Sequence, residues 1–66
     1  MIIVVNGEPR QSAEPMSLAD AVALLTAATT GVAAAVNGEV VRRAAWPHTQ
    51  LADGDEVEVL TAVQGG

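Results

Sequence analysis

VAAAVNGEVV, residues 32–41, decides the fold. Two apolar runs meet at Asn37-Gly38, and Asn-Gly is the strongest short hairpin signal because a type I′ turn needs positive φ at both central residues. Val32, Ala34 and Val36 share one face of the incoming strand, and Val40 and Val41 begin the return strand. The alanines on the other face, Ala33 and Ala35, imply that something packs close there. The same signal occurs earlier. MIIVV opens the chain as a short continuous apolar run, which reads as a strand buried on both faces. It stops at Asn6-Gly7, and residues 8–13 are the expected return strand, placed at a sheet edge by Pro9. Between the two hairpins lies an amphipathic helix, expected over 18–28. Leu18, Ala21, Val22 and Leu25 fall on one face. Ser17 is its N-cap, Asp20 sits in its first turn, Met16 can staple onto Ala21, and Gly31 is the expected C-cap.

Downstream, RRAAWPHTQ (42–50) reads as irregular, with a helical turn before Pro47; Trp46 is a partly buried cover on a small core and His48 a surface loop residue. Asp53-Gly54-Asp55 is a tight turn. Glu56 to Val59 then alternate, valines to the core and glutamates to solvent. The order is strand, strand, helix, strand, strand, strand, so one helix must cover one face of a mixed sheet of four to five strands, an α+β fold. The first and last strands are the most apolar, which places them centrally, although the two glutamates would also suit an exposed edge.

The chain has 66 residues, one small domain over 1–66. A chain of this size buries only about 60% of its unfolded surface. Without Cys it has no disulfide and no thiolate metal site, and a single His cannot hold zinc alone. One Trp is the sole aromatic residue, so the core must be Val, Leu, Ile and Ala. Half of the residues are hydrophobic, too many for a disordered chain. Apolar runs are far too short for a membrane span, and MIIVVNGEP lacks the basic region of a signal peptide; a cytoplasmic location is the expectation. Eight acids against three arginines give a net charge of −5, which disfavours nucleic acid and permits a basic protein partner.

Little chemistry is available to the chain acting alone. Nucleophilic catalysis needs an activated Cys, Ser, Thr or Lys beside a base. Cys and Lys are absent, Ser12 has no evident base, and Ser17 is explained as a cap. Glu56 and Glu58 could suggest paired carboxylates, but an exposed strand explains them more simply. Gly7, Gly31, Gly38 and Gly54 are each accounted for by turns or a cap, not by a phosphate loop. No catalytic residue and no bound cofactor or metal is expected.

There remains the ending, LTAVQGG (60–66). Chance places a terminal glycine pair in roughly one chain in two hundred at average glycine frequency. A Gly-Gly end can thread a narrow channel and leaves a terminal carboxylate sterically open. A flexible tail over about 61–66 would reach up to roughly 20 Å, enough to enter a partner's active site. The reactive group would then be the carboxylate of Gly66, with Gly65 giving access to it.

Taken in order, VNGEVVRRAAW, LADGDEVEV and the final Gly-Gly resemble the ThiS family, the sulfur carrier proteins of thiamin biosynthesis. The resemblance runs over nearly the whole chain: the opening strand with its early Asn-Gly, the helix, Val36-Asn37-Gly38, Arg43, Trp46, Leu51, Asp53-Gly54-Asp55 and Gly65-Gly66. It implies the ubiquitin-like β-grasp fold. It also implies a carrier rather than an enzyme. A ThiF-type adenylating enzyme would activate Gly66 with ATP held on that enzyme, the acyl-adenylate would become a thiocarboxylate, and a ThiG-type thiazole synthase would take the sulfur. The expected partner surface comprises Glu56, Glu58, Leu60, Ala62 and Gln64, apolar at its centre and acidic at its rim, on a chain that is a monomer when free. Rival readings are a β-grasp carrier for molybdopterin, tungsten cofactor, cysteine or tRNA thiolation, a ubiquitin-like protein modifier, and a binding module whose Gly-Gly is accidental. Carriers of the other pathways usually have a longer chain with a Pro- and aromatic-rich approach to the Gly-Gly.

Overall fold

The computed structural model describes residues 1–27 and 30–61. Within them the elements run β1 (Ile2–Val5), β2 (Glu8–Gln11), α1 (Leu18–Leu25), β3 (Val32–Val36), β4 (Glu39–Val41), a 3-10 helix η1 (Arg43–His48) and β5 (Glu56–Thr61). These strands form one sheet in the order β2-β1-β5-β3-β4. β1 and β5 are parallel, and the other three pairings are antiparallel. This is a mixed sheet with an α-helix on one face, the β-grasp arrangement.

Two hairpins frame it. In both turns the backbone takes φ of 50° at Asn and 83° at Gly, at Asn6-Gly7 and again at Asn37-Gly38. Those are the positive values of a type I′ turn, whose twist matches that of the flanking strands. The turns fix the registers Val5↔Glu8 and Val36↔Glu39. Parallel β1 and β5 cannot be joined by a tight turn, so the chain between them must cross over, and α1 lies on that crossover.

The helix starts where its residues dictate. Ser17 Oγ accepts from the Asp20 N–H (3.2 Å), and the Ser17 N–H donates to Asp20 Oδ2 (3.0 Å), a complete capping box. Leu18, Ala21 and Val22 are buried against Ile3, Val5, Ala34, Val57 and Val59 of the sheet, with Trp46 and Leu51 closing the core. Met16 packs against the same cluster. The helix ends earlier than its apolar period implies. Thr26 is already extended, and its N–H bonds the Val22 carbonyl. Leu25, the fourth expected core position, is 36% exposed. Gly31, at φ 69°, is therefore not the helix cap; it marks the entry to β3. Part of the expected helical span, residue 28, lies outside the described residues.

Other differences follow from the helix covering only one face. β1 is buried on one side, not on both. Ile3 and Val5 are in the core, whereas Ile2 is 46% exposed. β1 and β5 are internal as expected, but β5 is not among the most apolar strands, since β3 is wholly apolar and β5 alternates with glutamate; β5 is the middle of the sheet rather than an edge. β2, with Pro9, is an edge. The turn expected before Pro47 is a longer 3-10 helix that contains it. Trp46 is buried rather than partly buried, its indole N–H donating to the Val41 carbonyl (2.8 Å).

A β-carbon built on Gly38 meets nothing within 4 Å, so replacing this glycine adds no clash, only the strain of positive φ. Gly38→Ala is expected to cost on the order of 1–2 kcal/mol, with Gly38→Val costing more because of its branched Cβ. For a chain of this length total stability is about 3–10 kcal/mol, so the loss is readable in thermal unfolding. Parent-like stability in both variants would remove the positive-φ account of this turn.

Candidate functional site

β5 carries the residues of interest and leads to the Gly-Gly. It is held from both sides. Its pairs with β1 are Val4↔Glu56 and Val5↔Val57, and its pairs with β3 run from Val36↔Val57 to Val32↔Thr61. Each Asn-Gly turn then adds a side-chain grip. Beyond β1, Asn6 Nδ2 donates to the Val59 carbonyl (3.1 Å), while the Val59 N–H donates to Asn6 Oδ1 (2.8 Å). The amide thus copies one more rung of parallel pairing. Beyond β3, Asn37 Oδ1 accepts from the Glu56 N–H (3.0 Å), and its Nδ2 donates to Asp55 Oδ1 (3.1 Å). Backbone bonds complete the grip, from the Asn6 N–H to the Val57 carbonyl (2.9 Å) and from the Asn37 N–H to the Glu56 carbonyl (2.7 Å).

The Asp53-Gly54-Asp55 turn launches this strand. Asp55 Oδ2 accepts from the Ala52 N–H (2.8 Å), and Asp53 Oδ1 accepts from the Ile2 N–H (2.7 Å). In the sequence these asparagines and aspartates read as turn formers only. Their second role is hidden there because Asn6 and its partner Val59 lie 53 positions apart.

On β5, Val57 and Val59 point into the core, and Glu56, Glu58 and Leu60 face the open side of the sheet. Leu60 is 70% exposed. Across β3, register places Ala33 opposite Leu60 and Ala35 opposite Glu58. Ala35 is also opposite Val40 of β4, which is 78% exposed. Ala33, Ala35, Val40, Glu58 and Leu60 line a shallow hollow of about 240 Å³. The small side chains expected to admit a close neighbour therefore face a hollow, and no described element of this chain fills it. Val40 is the contributor that reads in the sequence only as part of a return strand; its exposure depends on β4 being an edge strand on a sheet covered on one side. Toward the Asn6-Gly7 turn the face becomes acidic, with Glu56 and Glu58 beside Val4.

Glu56, Glu58 and Leu60 are thus brought together on one open face as expected. Ala62, Gln64, Gly65 and Gly66 lie outside the described residues. On the other side of the molecule, Arg43 lies over the Trp46 ring, 5.4 Å from its centroid, beside a hollow between α1 and η1. His48 is exposed at the end of η1. Among the described residues no cluster of His, Asp and Glu is arranged to hold a metal, and no helix is long and apolar enough to cross a membrane. The arrangement offers a surface and a strand leading to a terminal segment.

Removing the Asn6 amide is expected to loosen β5 locally. In Asn6→Ala the Val59 N–H loses its acceptor, so its hydrogen-exchange protection should fall by up to about tenfold, the equivalent of one net hydrogen bond. Unchanged protection at Val59 would mean that the side-chain rung contributes nothing.

Comparison with known proteins agrees with this geometry. The sequence model of the ThiS family matches residues 3–66. An uncharacterized protein of Porphyra purpurea, ycf40, is 33% identical over 64 residues, covering 97% of this chain and 90% of that one. The crystal structure of the thiamine biosynthesis protein ThiS from Geobacter metallireducens superposes with a TM-score of 0.79 at 36% identity, over 100% of both chains. The solution structure of the Geobacter metallireducens thiamine biosynthesis protein gives 0.82 at 36% identity, over 100% of this chain and 88% of that one.

Proposed function

This chain belongs to the ThiS family, and on that premise we propose that it is a sulfur carrier of thiamin biosynthesis, a substrate of partner enzymes, whose working group is the carboxylate of Gly66. The observation that carries the reading is the family match itself, which runs through Gly65 and Gly66. A free carboxylate is a poor electrophile. An adenylating enzyme of ThiF type, holding ATP, joins the carboxylate oxygen to the α-phosphorus and releases pyrophosphate. A sulfur nucleophile then displaces AMP, and the product is a thiocarboxylate on Gly66. That anion is a good nucleophile, so sulfur can pass to a thiazole synthase of ThiG type without being released as sulfide.

The described residues support this in two ways. β5 is paired with β3 as far as Thr61, and with β1 and the Asn6 amide over Glu56 to Val59, so the segment after Thr61 follows a strand anchored in the sheet. Beside that strand lies an open face with Leu60 and Val40 exposed and Glu56 and Glu58 along it. An apolar centre with a charged surround is the usual composition of a recognition surface. Glu56, Glu58 and Leu60, continued by Ala62 and Gln64, are the proposed partner contacts. Gly65 is proposed to give passage through a narrow channel.

Deleting Gly66 should abolish adenylation and leave thermal stability unchanged. Gly65→Val should fold normally and react poorly. Incubation of the intact chain with its adenylating enzyme, ATP and a sulfur donor should raise its mass by the difference between sulfur and oxygen, and fragmentation should place that change on residue 66. Sulfur carried by the chain lacking Gly66 would overturn the proposal.

Charge should act on the rate of encounter. With a net charge of −5, association with the adenylating enzyme is expected to slow as salt rises. Replacing both Glu56 and Glu58 by Gln should lower the low-salt rate and flatten its salt dependence, and Leu60→Ala should instead raise the dissociation rate. Salt-independent association of the parent chain would rule out the acidic part of the surface.

A further inference from the structure

The tetrapeptide Val-Asn-Gly-Glu occurs twice, at residues 5–8 and 36–39. Both copies form the same turn, with φ of 50° and 83° at Asn and Gly. Asn-Gly is also the dipeptide at which asparagine most readily loses its side-chain amide, because glycine leaves the following backbone nitrogen unhindered. A β-carbon at either Gly7 or Gly38 would meet nothing within 4 Å. Local sequence and local backbone therefore give the two sites equal reactivity. What differs is the grip on each amide.

Asn6 is held by two backbone groups of a single residue in the middle of the sheet, the Val59 N–H and carbonyl, in a partly buried setting. Both are backbone groups of a paired strand and cannot move away from the amide without opening β5. Asn37 is held at its Oδ1 by the Glu56 N–H at the very start of β5, and at its Nδ2 by the carboxylate of Asp55, both exposed. The Asp55 carboxylate also accepts from the Ala52 N–H (2.8 Å), but both bonds belong to one side chain on an exposed turn, which can rotate and free the amide while the strand stays paired.

We propose that Asn37 is a site of spontaneous deamidation in the folded protein and that Asn6, with the same neighbours, is protected. The Gly38 backbone nitrogen attacks the side-chain carbonyl carbon of Asn37 and closes a five-membered imide. The bond to Nδ2 breaks, and ammonia leaves with the proton lost by the Gly38 nitrogen. Water then opens the imide to aspartate or isoaspartate, adding one negative charge. The product can keep the bond from the Glu56 N–H, but it cannot rebuild the one to Asp55. The carboxylate formed at position 37 has no donor to offer Asp55 and sets two like charges at hydrogen-bonding range, which is destabilising. Conversion therefore loosens the turn that holds the first residue of β5, independently of what the carrier transports.

The chain supplies its own control. It has no Lys, and cleavage after arginine places Asn6 on residues 1–10 and Asn37 on residues 11–42. The intact folded protein is held at mildly alkaline pH over days, digested, and the two peptides are followed by mass spectrometry, with fragmentation to place the change. Conversion at Asn37 several-fold faster than at Asn6 is the expected result. In guanidinium chloride the two sites should convert at equal rates. Equal rates in the folded protein, or faster conversion at Asn6, would overturn the proposal. The consequence is read separately by thermal unfolding. Asn37→Asp should lower Tm, and adding Asp55→Asn should recover part of the loss by restoring a donor opposite the new carboxylate. An Asn37→Asp variant with the parent's Tm would overturn the claim that conversion loosens β5.

Discussion

The pairing of β5 on both of its edges is the interaction on which the rest of this small structure depends. β5 is the last strand in sequence among the described residues and the middle one in space. It contributes Val57 and Val59 to the core, and its outer residues form the open face. Until it inserts, β1-β2 and β3-β4 are two separate hairpins, and isolated hairpins are marginal at best in water. Insertion joins them into one five-stranded sheet and gives α1 a continuous surface to cover. The two asparagine side chains add hydrogen bonds where the hairpin turns reach this strand.

That dependence explains how so short a chain manages without disulfides. Its core is aliphatic apart from Trp46 and includes the fully buried side chains of Ile3, Val5, Leu18 and Val57. Two polar groups beside the core are satisfied by nearby partners: Ser17 in its capping box with Asp20, and the Trp46 indole in its bond to the Val41 carbonyl. Each replaces water with a fixed partner, avoiding the cost of a buried unpaired group.

The one-sided cover also connects fold to function. With α1 on one side of the sheet, the other face is left open by the described elements, and it bears Leu60, Val40 and two small alanines beside Glu56 and Glu58. β5 forms the middle of that face, and in sequence it is followed by the segment proposed to carry sulfur. The neighbouring β1 and β3 keep that strand fixed.

Sequence by itself determined the local elements. Two Asn-Gly pairs between apolar runs specified two hairpins, because few other residues tolerate positive φ at successive positions. Ser17 with a period of apolar residues specified where the helix begins, and the alternation of Glu56 to Val59 specified which side of β5 meets the core. Order and composition were enough for the fold class and for the resemblance to ThiS. Only the tertiary structure decided the rest. β1 is open on one face because α1 covers only the other. Leu25 is partly exposed because the helix stops at Thr26, short of its apolar period. Val40 joins the open face because β3 pairs it across from Ala35 and Glu58. The asparagine grips depend on pairings such as Asn6 with Val59, formed by residues far apart along the chain. Periodicity and turn chemistry act over a few residues, whereas register across β5 is settled by burying the whole core at once.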